Sequence, residues 1–245
     1  MSFREIFHSR NVLITGHTGF KGSWLTAWLK ELGAQVTGVA LDPPTKPSHF
    51  LAARLGEGIQ DLRIDIRDQK ALKEVIRTVQ PEFVFHLAAQ PLVRQSYANP
   101  IETYTTNVMG TLHLLEALRE VRQSCVAVLI TSDKCYDNVE WVWGYREADR
   151  LGGPDPYSAS KGAVELVIRS HVHSFFPKKG NVRIGIGRAG NVIGGGDWAE
   201  DRIVPDCVQA WSQGEQALLR NPRATRPWQH VLEPLSGYLN FAMSL

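Results

Sequence analysis

Cysteine is scarce in this sequence. Three cysteines occur among 245 residues, at Cys125, Cys135 and Cys207. They are too few and too scattered for a disulfide framework or a zinc cluster. We therefore expect a reducing compartment, no metal site, and thiols that behave as small buried hydrophobes.

An excess of charge of either sign is also missing. The 27 basic and 25 acidic residues give a formal charge of +2, which does not indicate nucleic acid or a membrane surface as a partner. No apolar run reaches the ~18 residues that span a bilayer. The N-terminal segment 1–6 contains an acidic residue and lacks the apolar stretch of a signal peptide. We expect a soluble, cytoplasmic protein.

Three glycines spaced three apart follow the first apolar run of the chain. Gly16, Gly19 and Gly22 stand between this run and a helical pattern, an order that predicts strand, tight loop and helix. Gly16 would permit the turn, Gly19 the approach of a pyrophosphate, and Gly22 close packing of helix on strand. The spacing differs by one residue from the general dinucleotide motif. A glycine-rich turn that binds nothing is therefore the alternative.

An acidic residue ends the second predicted strand, which covers 35–41. Asp42 lies 20 residues beyond Gly22, about where a Rossmann unit places the carboxylate that binds an adenosine ribose. A carboxylate there would repel a 2′-phosphate, so the expected cofactor is NAD. The alternative is that Asp42 only opens an Asp-Pro turn.

Strands alternate with helices along most of the chain. Further strands are predicted at 59–64, 82–87, 125–131 and 181–187, and one long helix at 99–121. This alternation predicts an α/β fold with a doubly wound, mainly parallel Rossmann sheet, whose ligands bind outside the carboxyl ends of the strands. We assign residues 1–188 to the NAD-binding domain and 189–245 to a small, incomplete substrate-binding lobe. Between these strands, Asp68 is expected to cap a helix and His86 to be a hydrogen-bonded core residue.

Chemically capable side chains follow the fifth strand and open the next long helix. Ser132, Asp133 and Lys134 leave the sheet on the face where ligands bind, and Tyr157 and Lys161 are four residues apart in a helical segment. That spacing puts Tyr157 and Lys161 on one helical face, where the cation can lower the pKa of the phenol. A Tyr-x-x-x-Lys pair alone is more often a solvated surface pair.

Taken together, these motifs resemble the extended short-chain dehydrogenase/reductases. Gly16-x-x-Gly19-x-x-Gly22, Asp65-x-x-Asp68, His86-Leu-Ala-Ala-Gln90, Asn107 and Tyr157-Ser-Ala-Ser-Lys161 stand in the order and spacing of that family. The stretch 131–136, Thr-Ser-Asp-Lys-Cys-Tyr, is the most specific part. It is similar to the nucleotide-sugar 4,6-dehydratases of the family, although related members usually carry Glu at the position of Lys134.

The resemblance implies a set of site residues. Those expected to hold the cofactor are Gly16, Thr18, Gly19, Phe20, Gly22, Asp42, Asp65, Ile66, Leu87, Ala88, Ala89, Asn107, Tyr157 and Lys161. Those expected to hold the nucleotide sugar are Gln90, Asn191, Arg202, Arg220, Arg226 and His230. Any one of the arginines alone is better explained as a solvated surface residue.

The implied reaction is a redox-neutral dehydration of a nucleotide-activated glucose, with CDP-glucose favoured. Tyr157, its pKa lowered by Lys161 and by the positive nicotinamide, would take the proton of the C4 hydroxyl, and Ser132 would fix that oxygen. Lys134 would remove the C5 proton and Asp133 would protonate the departing C6 hydroxyl. A C4 epimerase or ketoreductase would use only Tyr157 and Lys161. A non-catalytic nucleotide-binding protein is the second alternative.

Two further expectations follow from the resemblance. The family usually pairs its long helices in a homodimer, here 99–121 and 157–176, and the stripe Tyr104, Leu112 and Leu115 supports this. Family members also continue beyond the point at which this chain ends, so the segment 234–245 is expected to be the start of a helix of the substrate lobe.

Overall fold

The computed structural model describes residues 2–245 as a parallel sheet covered by helices on both faces. Its six strands are β1 (Asn11–Thr15), β2 (Gln35–Ala40), β3 (Gln60–Arg63), β4 (Phe83–His86), β5 (Cys125–Ile130) and β6 (Val182–Gly187). They lie in the order β3-β2-β1-β4-β5-β6, and every pair is parallel. The predicted Rossmann sheet is confirmed.

The helices are α1 (Phe3–Phe7), α2 (Phe20–Glu31), α3 (His49–Ala52), α4 (Gln69–Val79), α5 (Val93–Ala98), α6 (Pro100–Tyr104), α7 (Gly110–Leu118), α8 (Pro156–Phe175), α9 (Ile203–Ser212) and α10 (Leu232–Ser244). Two short strands, β7 (Asn191–Ile193) and β8 (Trp228–His230), form a separate parallel pair. No helix within 2–245 is both long and apolar enough to cross a membrane.

The predicted helix 99–121 is interrupted. Residues Thr105–Met109 form a π-helical turn between α6 and α7, and the buried side chain at its centre is Asn107. A π turn inserts one extra residue into the helical register. The periodicity of the apolar residues did not reveal this insertion. Asp68 caps α4 as predicted, because its carboxylate accepts from Ala71 N at 3.0 Å.

The core consists of two apolar layers, one on each face of the sheet. One layer packs α4, α7 and α8 against the strands, with Leu72, Leu115 and Ile168 fully or nearly fully buried. The other packs α1 and α2 against the opposite face. Burial at about 25 cal/mol per Å² is the main force that holds such layers on a sheet.

The last helix belongs to this second layer. Leu235 and Leu239 of α10 are fully buried beside Phe85 and Ile14 of the sheet. The segment assigned to the substrate lobe therefore packs on the sheet of the dinucleotide-binding fold instead, because its apolar stripe faces β5 and β6. The predicted domain boundary after residue 188 stays a prediction. Although α10 follows that boundary in the sequence, it packs on the sheet of the dinucleotide-binding domain.

Candidate active site

The glycine loop joins β1 to α2 at the carboxyl edge of the sheet. Gly16 has φ +77°, and a Cβ there would lie 2.6 Å from Ala88 N. A Cβ on Gly22 would lie 2.0 Å from Gly16 O, so these two positions admit only glycine. Gly19 is the N-cap of α2 and no side chain caps that helix. The first N–H groups of α2 therefore face an open cradle that fits a pyrophosphate.

The end of β2 lies beside this loop. Thr18 Oγ1 donates to Leu41 O at 3.0 Å, which ties the loop to the strand end. The Asp42 side chain is 93% exposed, and its Oδ1 is 3.8 Å from Arg63 Nε. The guanidinium of Arg63 already binds Leu41 O and the carboxylate of Asp61. Asp42 thus presents a carboxylate at the edge of the cradle.

Small residues at the end of β4 form the opposite wall of the cradle. Leu87 N donates to Thr15 O at 3.0 Å and Ala88 N to Thr15 Oγ1 at 3.3 Å. His86 binds Thr15 Oγ1 and Thr111 Oγ1 and is buried. It is the hydrogen-bonded core histidine that the sequence predicted. Phe20, the first residue of α2, is partly buried on the second core layer.

His17 is a residue of the loop that the sequence analysis missed. Its ring is fully buried, and Nε2 lies 2.8 Å from Asp61 Oδ1. A Cβ on Gly38 of β2 would lie 2.3 Å from this ring. Burial lowers the pKa of His17, so the imidazole is neutral and wedged between the loop and β2. The glycine spacing carries no signal for this contact.

Two of the predicted cofactor residues are engaged within the protein. The carboxylate of Asp65 accepts from Arg67 N at 2.8 Å and from Arg67 Nε at 2.9 Å. Ile66 is buried in the core, where its Cδ1 would touch a Cβ on Gly110 at 2.5 Å. These contacts leave the backbone, not the Ile66 side chain, for a bound nucleotide.

The predicted residues Asn107 and Gln90 bind each other. Asn107 Oδ1 accepts from Gln90 N at 2.8 Å, and its Nδ2 donates to Ser160 Oγ at 2.9 Å. The Gln90 amide closes a turn through Leu92 N and Thr103 Oγ1. The Gln90 amide is thus engaged within the protein, and its expected contact with substrate stays a prediction. Asn107 instead links α8 to the loop after β4.

The segment after β5 forms a short turn at the same edge. Ser132 Oγ donates to Asp133 Oδ1 at 3.0 Å and accepts from Lys134 N at 3.2 Å. Lys134 Nζ lies 3.6 Å from Asp133 Oδ2, and its side chain is 39% exposed. The role of Lys134 as a base relied on burial and on an Asp133 turned away. The structure shows neither, because Lys134 sits at the rim and pairs with Asp133.

Tyr157 and Lys161 lie in the first turns of α8, which packs against this segment. Lys161 Nζ is 5.9 Å from the centroid of the Tyr157 ring. Burial raises the pKa of Tyr157 to about 12, and the Ser132 hydroxyl acts in the opposite direction. Burial lowers the pKa of Lys161 to about 8. In the protein without cofactor, desolvation thus dominates the pKa of the phenol. The expected lowering by Lys161 together with the nicotinamide concerns the cofactor-bound protein and stays a prediction.

Lys21 is a second residue that the sequence analysis did not assign to the site. It is the second residue of α2, and its Nζ donates to Tyr238 OH of α10 at 3.3 Å. Burial lowers its pKa to about 8, and the cations Lys161 and Arg202 act in the same direction. The sequence signal that could have assigned Lys21 to the site is its position between Gly19 and Gly22. Three cations and Asp133 therefore converge at the centre of the site.

The predicted substrate residues lie in the β7–β8 pair and its loops. Asn191 N donates to Pro227 O at 3.1 Å, so the glycine-rich loop and the stretch around Arg226 are neighbours. Arg202 pairs with Asp197 at 3.0 Å. Arg226 Nη1 donates to the adjacent Thr225 O at 2.7 Å.

The remaining substrate candidates lie further out. Arg220 and Arg94 both bind Asp201 Oδ1, at 2.9 and 2.7 Å, so one carboxylate carries two guanidinium groups. His230 is exposed, and its Nδ1 accepts from Leu232 N. These arginines are thus paired with Asp197 and Asp201 around the β7–β8 loops.

Comparisons with known proteins agree with this geometry. The model of the GDP-mannose 4,6-dehydratase family matches residues 13–242. CDP-glucose 4,6-dehydratase of Salmonella typhimurium is 55% identical over 99% of this chain, and the chain covers 68% of that protein. A probable dTDP-glucose 4,6-dehydratase of Sinorhizobium fredii is 32% identical over 62% of this chain, which covers 46% of that relative.

A solved structure extends the comparison. MoeE5 in complex with UDP-glucose and NAD superposes with a TM-score of 0.77 at 26% identity, over 96% of this chain and 72% of the other. The chain therefore belongs to the GDP-mannose 4,6-dehydratase family.

Proposed function

We propose that the protein catalyses the NAD-dependent dehydration of a nucleotide-activated glucose, with CDP-glucose favoured, to the 4-keto-6-deoxy sugar nucleotide. The observation that carries the proposal is the placement of Ser132, Asp133 and Lys134 directly after β5, in contact with the start of α8 that bears Tyr157 and Lys161. The 55% identity to the Salmonella CDP-glucose 4,6-dehydratase supports the choice of nucleotide.

The residues around the glycine loop fit NAD. The cradle at Gly19 offers backbone N–H groups to the pyrophosphate, and Asp42 offers a carboxylate to the adenosine ribose. NAD bound there would supply the acceptor for the C4 hydride and the donor of the C6 hydride. Its positive nicotinamide would favour the phenolate of Tyr157, which burial alone disfavours.

Tyr157 takes the proton of the C4 hydroxyl in this proposal. Ser132 holds the same oxygen, since its hydroxyl faces the phenol. Lys161, whose pKa burial lowers to about 8, carries its charge at neutral pH and orients the ribose and the phenol. A proton acceptor positioned within hydrogen-bond reach contributes roughly 10²–10⁴-fold to such a step.

The elimination of water needs an acid and a base on the C5–C6 side. Once C4 is a ketone, its neighbour C5 is acidic, and Lys134 removes that proton. Asp133 donates a proton to the departing C6 hydroxyl, so one water leaves. Lys134 Nζ lies 3.6 Å from Asp133 Oδ2. The step therefore requires the proton of this pair to lie on Asp133, from which it leaves with the C6 hydroxyl, while the C5 proton goes to Lys134.

The test is incubation of the protein with NAD and, separately, CDP-, dTDP-, UDP- and GDP-glucose. We expect a product lacking one water and bearing a C4 ketone from CDP-glucose first, and none from a Tyr157→Phe variant. A C4-epimerised product without loss of water would identify an epimerase. Retained NAD with no product from any of the four would identify a non-catalytic nucleotide-binding protein.

We also propose that the protein is a cytoplasmic homodimer that pairs α6–α7 with α8. Leu115 of the predicted stripe is fully buried against the sheet, so it is unavailable to a partner. The exposed apolar residues are Ile101, at 78% exposure, with Tyr104 and Met109 on α6 and the π turn, and Leu166 on α8. A monomeric mass at micromolar concentration in light scattering would reject the dimer.

A further inference from the structure

We propose that a buried ion pair, Glu165 with Arg188, positions the catalytic turn 132–134 against Tyr157. Neither residue belongs to the predicted site. The proposal rests on the proposed function, because it assigns the pair a role in the same reaction. It follows from where the two charged groups direct their hydrogen bonds.

The ion pair is almost completely buried, and two parallel hydrogen bonds join its two side chains. The Glu165 side chain is 0% exposed and that of Arg188 14%. Arg188 Nε donates to Glu165 Oε1 at 2.6 Å, and Nη2 donates to the other oxygen. Burial acts to raise the pKa of Glu165, but the hydrogen bonds from Arg188 and Thr131 outweigh it and hold that pKa below its ordinary value. Both groups are therefore charged.

The pair holds both flanks of the catalytic turn. On one side, Thr131 Oγ1 donates to Glu165 Oε1 at 2.8 Å. On the other, Arg188 Nη1 donates to Tyr136 OH at 2.7 Å, and the guanidinium lies 4.7 Å from the centre of the Tyr136 ring. Hydrogen bonds to charged groups are stronger and more directional than neutral ones. Residues 132–134 thus lie between two residues, Thr131 and Tyr136, that are each hydrogen-bonded to the ion pair.

The same helix carries the anchor and the phenol. Tyr157, Lys161 and Glu165 are spaced by four residues along α8, so they share one face. Arg188 follows β6, and the next residue, Ala189, accepts from Asp133 N at 3.1 Å. Any shift of the turn relative to Tyr157 must therefore break a bond to Glu165 or Arg188. The pair fixes the distance between the groups of the first step and those of the elimination.

A substitution in the pair itself leaves a buried charge without a partner and endangers folding. The test therefore removes the links and keeps the pair. Thr131→Val deletes the hydroxyl that reaches Glu165, and Tyr136→Phe deletes the hydroxyl that reaches Arg188. The matched controls are Thr37→Val and Tyr145→Phe. Thr37→Val removes a buried hydroxyl of β2 that donates to Gln60 Oε1 at 3.1 Å.

The measurements are kcat and KM for CDP-glucose at saturating NAD, and amide hydrogen exchange over 132–136. Displacement of reacting groups by about 1 Å costs roughly 100-fold in rate. We expect the double variant T131V/Y136F to fold, to lose roughly 10- to 100-fold in kcat with KM within about threefold, and to exchange faster over 132–136. The controls should keep the kcat of the unmodified protein.

The outcomes separate the two proposals. A double variant with normal kcat overturns the positioning role, whether or not its thermal stability falls. If the unmodified protein forms no 4-keto-6-deoxy product, the proposed function fails. Hydrogen exchange then decides: faster exchange confined to 132–136 in the double variant supports the anchoring, and unchanged exchange overturns it.

Discussion

Lys161→Met should stabilise the cofactor-free protein while removing its activity. The Lys161 ammonium is buried, and among residues 2–245 it takes part in no ion pair. Its pKa falls from 10.5 to about 8. One pKa unit corresponds to ~1.4 kcal/mol, so keeping the charge at pH 7 costs the folded state roughly 3 kcal/mol. Methionine fills a similar volume without a charge to desolvate.

Part of this gain is lost because methionine does not reproduce the packing of the lysine stem. We expect a net stabilisation of roughly 1–3 kcal/mol, or a rise in Tm of ~3–8 °C for a chain of this size. The assay is thermal unfolding of the cofactor-free protein at pH 7, followed by circular dichroism. Lys178→Met, at an exposed lysine just after the same helix, is the control and should leave the Tm nearly unchanged.

The pH dependence of the difference gives a second check. In the folded protein Lys161 loses its proton near pH 8, while in the unfolded chain it keeps it up to about 10.5. Between these values the unfolded state binds more protons, so the stability of the unmodified protein rises with pH. The advantage of Lys161→Met should therefore shrink by more than half between pH 7 and 9.5. A variant that is less stable than the parent at pH 7, or an advantage independent of pH, would refute the reasoning.

Three further changes have defined expectations. Gly22→Ala, whose Cβ would lie 2.0 Å from Gly16 O, should distort the loop and abolish NAD binding in calorimetry; NAD affinity within twofold of the parent would contradict the cradle. Asp42→Ala should reduce the preference for NAD over NADP, and equal affinity of the unmodified protein for both cofactors would remove the argument. Lys134→Ala should still reduce bound NAD on addition of CDP-glucose but lose exchange of the C5 hydrogen with deuterated solvent; normal exchange would exclude Lys134 as the base.

The sheet and the glycine loop were predictable because their signals are local. Apolar runs bounded by turns defined the strands, and Gly16 and Gly22 stand where backbone contact admits no side chain. The cap at Asp68 was equally local. Each of these predictions needed only residues that are neighbours in the chain.

The errors concern contacts between distant segments. The sequence of α10 shows an apolar stripe but not which surface the stripe covers, and it covers the sheet. Periodicity did not reveal the π turn at Asn107, because the helix continues on both sides. The burial that raises the pKa of Tyr157 in the protein without cofactor was not predictable, because it depends on every element packed around α8. The anchoring of the turn by Glu165 and Arg188 has no sequence signature for the same reason.

The central claim is that oxidation at C4 and reduction at C6 occur in one site on one sugar. The most direct measurement uses CDP-glucose carrying deuterium at C4, incubated with the protein and unlabelled NAD. The account predicts a 4-keto-6-deoxy product with the deuterium at C6, transferred within the same molecule, and solvent hydrogen at C5. Deuterium retained at C4, or released to free NADH without appearing at C6, would contradict it.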